Sequence, residues 1–161
     1  MSLSLFPFLG NAAEKLAVGA KAPAVTCNDQ DGKPVELAKA GAQGYLLVYF
    51  YPKASTPGCT KQGCSLRDAA ADLKKKGVAV IGVSTDSVEK QKEFKDKNNF
   101  AYPLLADTDK KVIAAFGQSG GMMASREAYL IDRKGKVVYH DKGQTEKQAE
   151  MVLAFLNAKK S

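Results

Sequence analysis

Several classes are excluded by what the sequence has little of. Three cysteines in 161 residues are too few, and odd in number, for a secreted disulfide scaffold, so a reducing compartment, the cytoplasm, is expected. No apolar run approaches the roughly 20 residues of a membrane-spanning helix. There is one histidine, His140, and no Cys-x-x-Cys or His-x-x-His spacing, which argues against a zinc site. The plant-type iron–sulfur spacing lacks its third close cysteine. Repeats and linkers are missing too, so one domain is expected over residues 19–161, with an N-terminal arm at 1–18.

Positive charge is plentiful, at a net +7. The lysines are dispersed, at 74–76, 90–97 and 159–160, with carboxylates among them. That reads as a solvated basic surface; attraction to nucleic acid or an acidic partner is the weaker reading, and no nucleic-acid motif is present. Apolar residues make up 45% and charged residues 25%, a globular balance.

The informative stretch is YLLVYFYPKASTPGCTKQGC, residues 45–64. Its first seven residues are an unbroken aromatic and branched run, the mark of a strand buried on both faces of a sheet. Turn chemistry follows at 52–58, and after Cys59 apolar residues recur at helical spacing: Leu66, Ala69, Ala70, Leu73. Cys59 therefore sits where a strand ends and a helix begins, at the carboxyl edge of an α/β sheet, where ligands bind. The first turn of a helix offers unpaired N–H groups and the positive end of the dipole, both of which stabilise a thiolate, the reactive form of cysteine. Thr56 can place a hydroxyl beside the sulfur, and Pro52 fixes the turn and shields it. The competing reading is a buried, inert cysteine.

At these residues the sequence resembles a known family. Pro52-xxx-Thr56-xx-Cys59 matches the peroxiredoxin signature PxxxTxxC, and the string YFYPKASTPGCTKQGC looks like the peroxiredoxin Q, or bacterioferritin comigratory protein, class. The likeness runs from about residue 19 to 156. It implies an α/β thioredoxin-like fold, a central mixed sheet flanked by helices with an N-terminal β-hairpin. It also implies an antioxidant enzyme that reduces hydrogen peroxide and organic hydroperoxides. Cys59 becomes the peroxidatic cysteine and Cys64 the resolving one, an intramolecular two-cysteine scheme recycled by thioredoxin or glutaredoxin. No metal or organic cofactor is needed. The class is mostly monomeric.

Arg126 stands before YLID, where relatives carry their active-site arginine before a run resembling FLID; a guanidinium beside Cys59 would favour the thiolate and hold a peroxide oxygen. The alternative is a surface arginine at a strand end. Cys27 reads as a small core residue, with a resolving role as the alternative. His140 reads as a structural or surface residue.

Geometry adds its own expectation. Five residues of helix rise about 7.5 Å and turn about 140°, while a disulfide needs Cα atoms within about 7 Å. The Cys59–Cys64 helix must therefore unwind locally to close that bond, helped by Gly58 and Gly63, poor helix formers.

Elsewhere, turn-rich residues 28–32 predict a hairpin from 24–27 and 35–37. Residues 78–83 predict a strand. Residues 84–86 cap a helix over about 87–98. A strand follows at 104–106. Asp107 and Thr108 cap a short helix stopped by Gly117. Gly120 to Met123 form a loop that departs from the family. Residues 126–132 and 137–140 predict a second hairpin. Thr145-xx-Gln148 reads as a capping box for a last helix, its apolar face Met151, Val152, Phe155 and Leu156. The apolar stretch at 3–9 resembles a signal peptide only weakly, since it is short, holds Pro7 and has no Lys or Arg before it. An arm packing Leu5, Phe6, Phe8 and Leu16 on the domain is expected, with a weak dimer through it as the alternative.

Two other functions fit parts of the pattern. A disulfide reductase would normally carry Cys-x-x-Cys, not the four intervening residues found here. A metal or redox-sensing module would draw Cys27, Cys59, Cys64 and His140 together.

Overall fold

The structure is a computed structural model and describes residues 16–41, 44–118, 124–142 and 147–159. The chain first makes a small hairpin of β1 (Thr26–Asn28) and β2 (Pro34–Glu36), antiparallel with Cys27 opposite Val35. Asp29 closes its turn by accepting hydrogen bonds from the amides of Asp31 and Lys33. Leu37 does not end β2, as the sequence suggests, but opens the single-turn helix α1 (Leu37–Ala40), burying its side chain.

A five-stranded sheet follows, in the order β5-β4-β3-β6-β7. β3 (Tyr45–Phe50) lies at its centre, parallel to β4 (Val78–Ser84), which is parallel to β5 (Leu104–Ala106). On the other side β6 (Ala128–Ile131) and β7 (Val137–Asp141) add antiparallel. Mixed pairing and an N-terminal hairpin are what the resemblance implied.

The two-residue period of β3 sorts the core into two layers. Leu47, Tyr49 and Tyr51 face one side, with Leu66, Leu73, Phe94, Phe100, Val152 and Leu156. Leu46, Val48 and Phe50 face the other, with Cys27, Val83, Val112, Phe116 and Tyr129. The first layer is roofed by α2 (Pro57–Asp68), α3 (Ala70–Lys75), α4 (Val88–Asn98) and α6 (Gln148–Ala158). The second is covered by the hairpin, α1 and α5 (Lys111–Ala115). Both faces are closed to water, which is why β3 reads as a continuous apolar run.

Several elements differ from the sequence reading. The helix after Cys59 is broken at Ala69 (φ −90°, ψ 1°) into α2 and α3, and Leu66 and Leu73, one on each, are both buried in the core. The α4 cap is Ser87, whose hydroxyl oxygen accepts from the Lys90 amide at 3.3 Å, while Asp86 turns away to the loop before α2. In α6 Met151 is 41% exposed, and Gln148 and Ala149 take its place on the buried face with Val152 and Leu156. Thr145, the Gly120 to Met123 loop and the arm up to residue 15 lie outside the described residues. The N-cap position of α5 is Lys110 (φ 62°), later than the expected Asp107 and Thr108, but the Asp107 carboxylate still accepts from the amides of Val112 and Ile113 in the first turn.

Candidate active site

β3 ends at Phe50 and delivers the chain through Tyr51 into a turn at residues 52–56. That turn is pinned to the end of β4: the Ala54 amide donates to Asp86 Oδ2 at 2.7 Å, and Ser84 Oγ donates to the same oxygen at 2.8 Å. Ser55 takes a left-handed backbone (φ 63°) to bring the chain round. Pro52 is half-buried in this turn. Thr56 is the N-cap of α2 and Pro57, with no N–H to leave unpaired, is its first residue.

Cys59 is therefore the third residue of α2, in the turn that carries the helix's first N–H groups, and its side chain is fully buried. Arg126, just ahead of β6, reaches over it: Nη1 donates to Cys59 Sγ at 3.3 Å. Two features hold the arginine there. The Phe50 amide donates to the Glu127 carbonyl at 2.7 Å, tying the entry of β6 to the exit of β3. Gly58 leaves room for the guanidinium, since a Cβ on it would lie 2.6 Å from Arg126 Nη2. Thr56 Oγ1 donates to the Lys53 carbonyl at 2.8 Å, so its proton is committed to the loop and its oxygen remains an acceptor.

Cys64 lies on the same helix and is half-buried, its Sγ 3.9 Å from Oδ1 of Asn98 at the end of α4. The two thiols thus meet different parts of the fold, Cys59 the approach to β6 and Cys64 the end of α4. Both are free.

A buried thiol at a helix start, touched by a guanidinium, is the arrangement expected of an activated cysteine nucleophile. Residues 18–140 match the AhpC/TSA family. The chain is 39% identical to the chloroplastic peroxiredoxin Q of Suaeda salsa over 98% of its own length and 77% of that protein's. It is 39% identical to the one from Sedum lineare, covering 91% and 81%. It superposes on peroxidoxin BcpB from Mycobacterium tuberculosis with a TM-score of 0.85 at 33% identity, over 91% of this chain and 99% of that one. The bacterioferritin comigratory protein of Xanthomonas campestris gives 0.79 at 31%, over 91% and 98%.

The chain belongs to the AhpC/TSA family, in its peroxiredoxin Q class. It is a thiol-dependent peroxidase with a thioredoxin-like fold.

In this peroxiredoxin the remaining candidates separate. Cys27 lies in the other core layer, across the sheet from Cys59 and Cys64. Burial, and then the nearby Asp107, push its thiol up to about 11. In this fold it is a buried core residue, as the sequence reading expected. His140 is occupied by Glu127, Nε2 to Oε1 at 2.9 Å, and stacks on Tyr129 with ring centroids 4.3 Å apart. The four groups of the metal-module reading are therefore not brought together. A groove of about 740 Å³ lies at the amino ends of the parallel strands, lined by Tyr45, Val78 and Pro103 with Lys39 and Lys74, at the opposite end from Cys59.

Sequence reasoning missed the supports of the site: Asp86, which holds the turn; Gly58 as the seat of Arg126; and the glutamines Gln62 and Gln148. Asp86 was visible as a capping residue but assigned to the wrong loop. The glutamines carry no sequence signal, since an interior glutamine in a helix reads as a solvent-facing residue.

Proposed function

We propose that Cys59 is the peroxidatic cysteine of this enzyme, acting on hydrogen peroxide and organic hydroperoxides, and that Cys64 resolves it. The observation that carries this reading is the Arg126 contact to a buried Cys59 sulfur at 3.3 Å. The Cys59 thiolate attacks the terminal peroxide oxygen. The O–O bond breaks, the sulfur gains an S–O bond, and the leaving alkoxide or hydroxide takes a proton to depart as alcohol or water. Arg126 and the Cys59 amide donate to the oxygens as charge moves onto them, and the Thr56 oxygen accepts the substrate O–H. Pro52 limits the access of water.

The Cys64 sulfur then displaces the sulfenic hydroxyl of Cys59, releasing water and leaving an intramolecular disulfide. A dithiol protein of the thioredoxin or glutaredoxin type returns two electrons and two protons. The domain over 19–161 acts as a cytoplasmic monomer, with the arm at 1–18 as an accessory; among the described residues no helix is long and apolar enough to cross a membrane.

Cys59→Ser should abolish peroxide consumption. Cys64→Ser should still consume one equivalent of peroxide but fail to turn over with thioredoxin, ending as Cys59 sulfinic acid under excess peroxide. Full turnover by Cys64→Ser would move the resolving role elsewhere.

A further inference from the structure

Gln62 and Gln148 are fully buried and have no part in the chemistry above. Gln62 sits in α2 between the two cysteines. Its Nε2 donates to the Phe50 carbonyl at the end of β3 (3.0 Å) and to Gln148 Oε1 (2.9 Å). Gln148 opens α6, and its own Nε2 donates to the carbonyl of Arg126 at 3.1 Å. One chain of hydrogen bonds, buried at Gln62 and part-buried where it meets Arg126, thus links the central strand, the helix of the cysteines, the last helix and the backbone of the residue that touches Cys59. Bonds of this kind are not exchanged cheaply for water, because breaking one leaves a buried donor or acceptor unpaired.

Closing the Cys59–Cys64 bond requires α2 to unwind between those residues, and Gln62 lies inside the segment that must open. It cannot keep both bonds. Its Oε1 also has no donor among the described residues. An unpaired buried acceptor weakens the folded form and is relieved when the segment opens. The network is therefore held by two bonds and opposed by one orphaned atom.

We propose that Gln62 and Gln148 are positioning residues that form a redox-linked latch; this rests on the Cys59–Cys64 disulfide reading. In the dithiol enzyme the latch holds the Arg126 backbone so that its guanidinium stays on Cys59. When Cys64 displaces the sulfenic hydroxyl, Gln62 leaves, Gln148 loses its partner, and the first turn of α6 loosens together with Arg126. The state of the disulfide is thereby transmitted to the C-terminal helix.

Gln148→Met keeps length and burial and removes both bonds of Gln148. Rapid mixing separates the steps, since Cys59 oxidation scales with peroxide concentration and disulfide closure does not. The latch predicts that oxidation slows about tenfold while closure accelerates. Unchanged oxidation, slowed closure, or no change in either overturns the proposal, and a purely structural role would leave the exchange of residues 148–152 the same in the dithiol and disulfide forms. Amide exchange on the unmodified enzyme gives an independent reading whatever the variant's yield. Residues 148–152 should exchange faster in the disulfide form than in the dithiol form, and equal rates overturn the latch. A normal Cys59–Cys64 disulfide with an unmoved α6 removes the latch alone. Absence of that disulfide in the unmodified enzyme removes the functional reading and the latch with it.

Discussion

At Cys59 the decisive neighbour is a glycine as much as an arginine. Gly58 has no side chain to hold off the guanidinium, and Arg126 fills the space where a Cβ would be. In Gly58→Ala the arginine can swing away, because its contact is the end of a flexible chain, so the fold survives while the bond to sulfur is lost. Hydrogen bonds to charged groups are worth about 1.5–3 kcal/mol, so the second-order rate of Cys59 oxidation should fall about ten- to hundredfold with little change in Tm. Stopped-flow oxidation beside a thermal melt checks this. Cys27 makes a separate residue-scale test. Its thiol is raised from an ordinary 9.0 to about 11, chiefly by burial. A raised value means the folded protein favours the protonated thiol, so this contribution is complete below pH 9 and is lost as pH climbs from 9 towards 11. The buried tyrosines, raised for the same reason, add to that loss at higher pH. Cys27→Ala should therefore flatten, without abolishing, the fall in unfolding free energy between about pH 9 and 11, measured by denaturant titration; an unchanged slope would contradict it.

At the scale of the element, α2 is built to hold and to open. Gly63 is where two effects oppose. Alanine is the better helix former by about 1 kcal/mol. A Cβ at 63, however, would lie 2.5 Å from the Phe100 ring, and that ring is wedged between Phe94 and Tyr102. Overpacking of this sort costs about 1–3 kcal/mol, so the clash wins. Gly63→Ala should lower Tm and, by weakening the folded helix, speed disulfide closure. Slower closure would mean that propensity dominates. The Gly63 carbonyl also accepts from the Tyr102 hydroxyl at 2.9 Å, and Tyr102 in turn bonds Tyr49 in the central strand. The sequence reading treated Gly63 only as a weak point in the helix; its role as the seat of an aromatic ring depends on residue 100 being folded onto it, which no local pattern reveals. The same limit explains α6. Periodicity located the helix, but chose Met151 for the buried face because it is apolar, whereas the structure buries Gln148, whose hydrogen bonds compensate its polarity. The break at Ala69 was also hidden, because Leu66 and Leu73 fit one helix as well as two.

Across the whole molecule, the central strands β3 and β4 were legible because each is a short apolar run with Gly before it and Pro or Ser after it, the hairpins because of their turn residues, and the thiol site because strand, turn and helix follow in one stretch. The order of strands in the sheet was not legible from periodicity. It arises from long-range pairing, with β6 antiparallel beside β3, Tyr129 opposite Val48. That pairing carries Arg126 from 67 residues away to the sulfur of Cys59. The resemblance to peroxiredoxin Q supplied what local patterns could not, and the contact between the two residues accords with it. Cys27 lies in the opposite core layer, with the sheet between it and Cys59.

The central claim, that Cys59 reacts with peroxide and Cys64 resolves it, is tested most directly by peptide mapping. The reduced enzyme is given one equivalent of hydrogen peroxide, its remaining thiols are blocked, and it is digested with trypsin without reductant. Lys61 separates the two cysteines, so the account predicts peptide 54–61 joined to peptide 62–67 by a disulfide. A blocked, unoxidised Cys59 would contradict the claim outright. A link from Cys59 to Cys27, or a sulfenic Cys59 beside a free Cys64, would contradict the role given to Cys64.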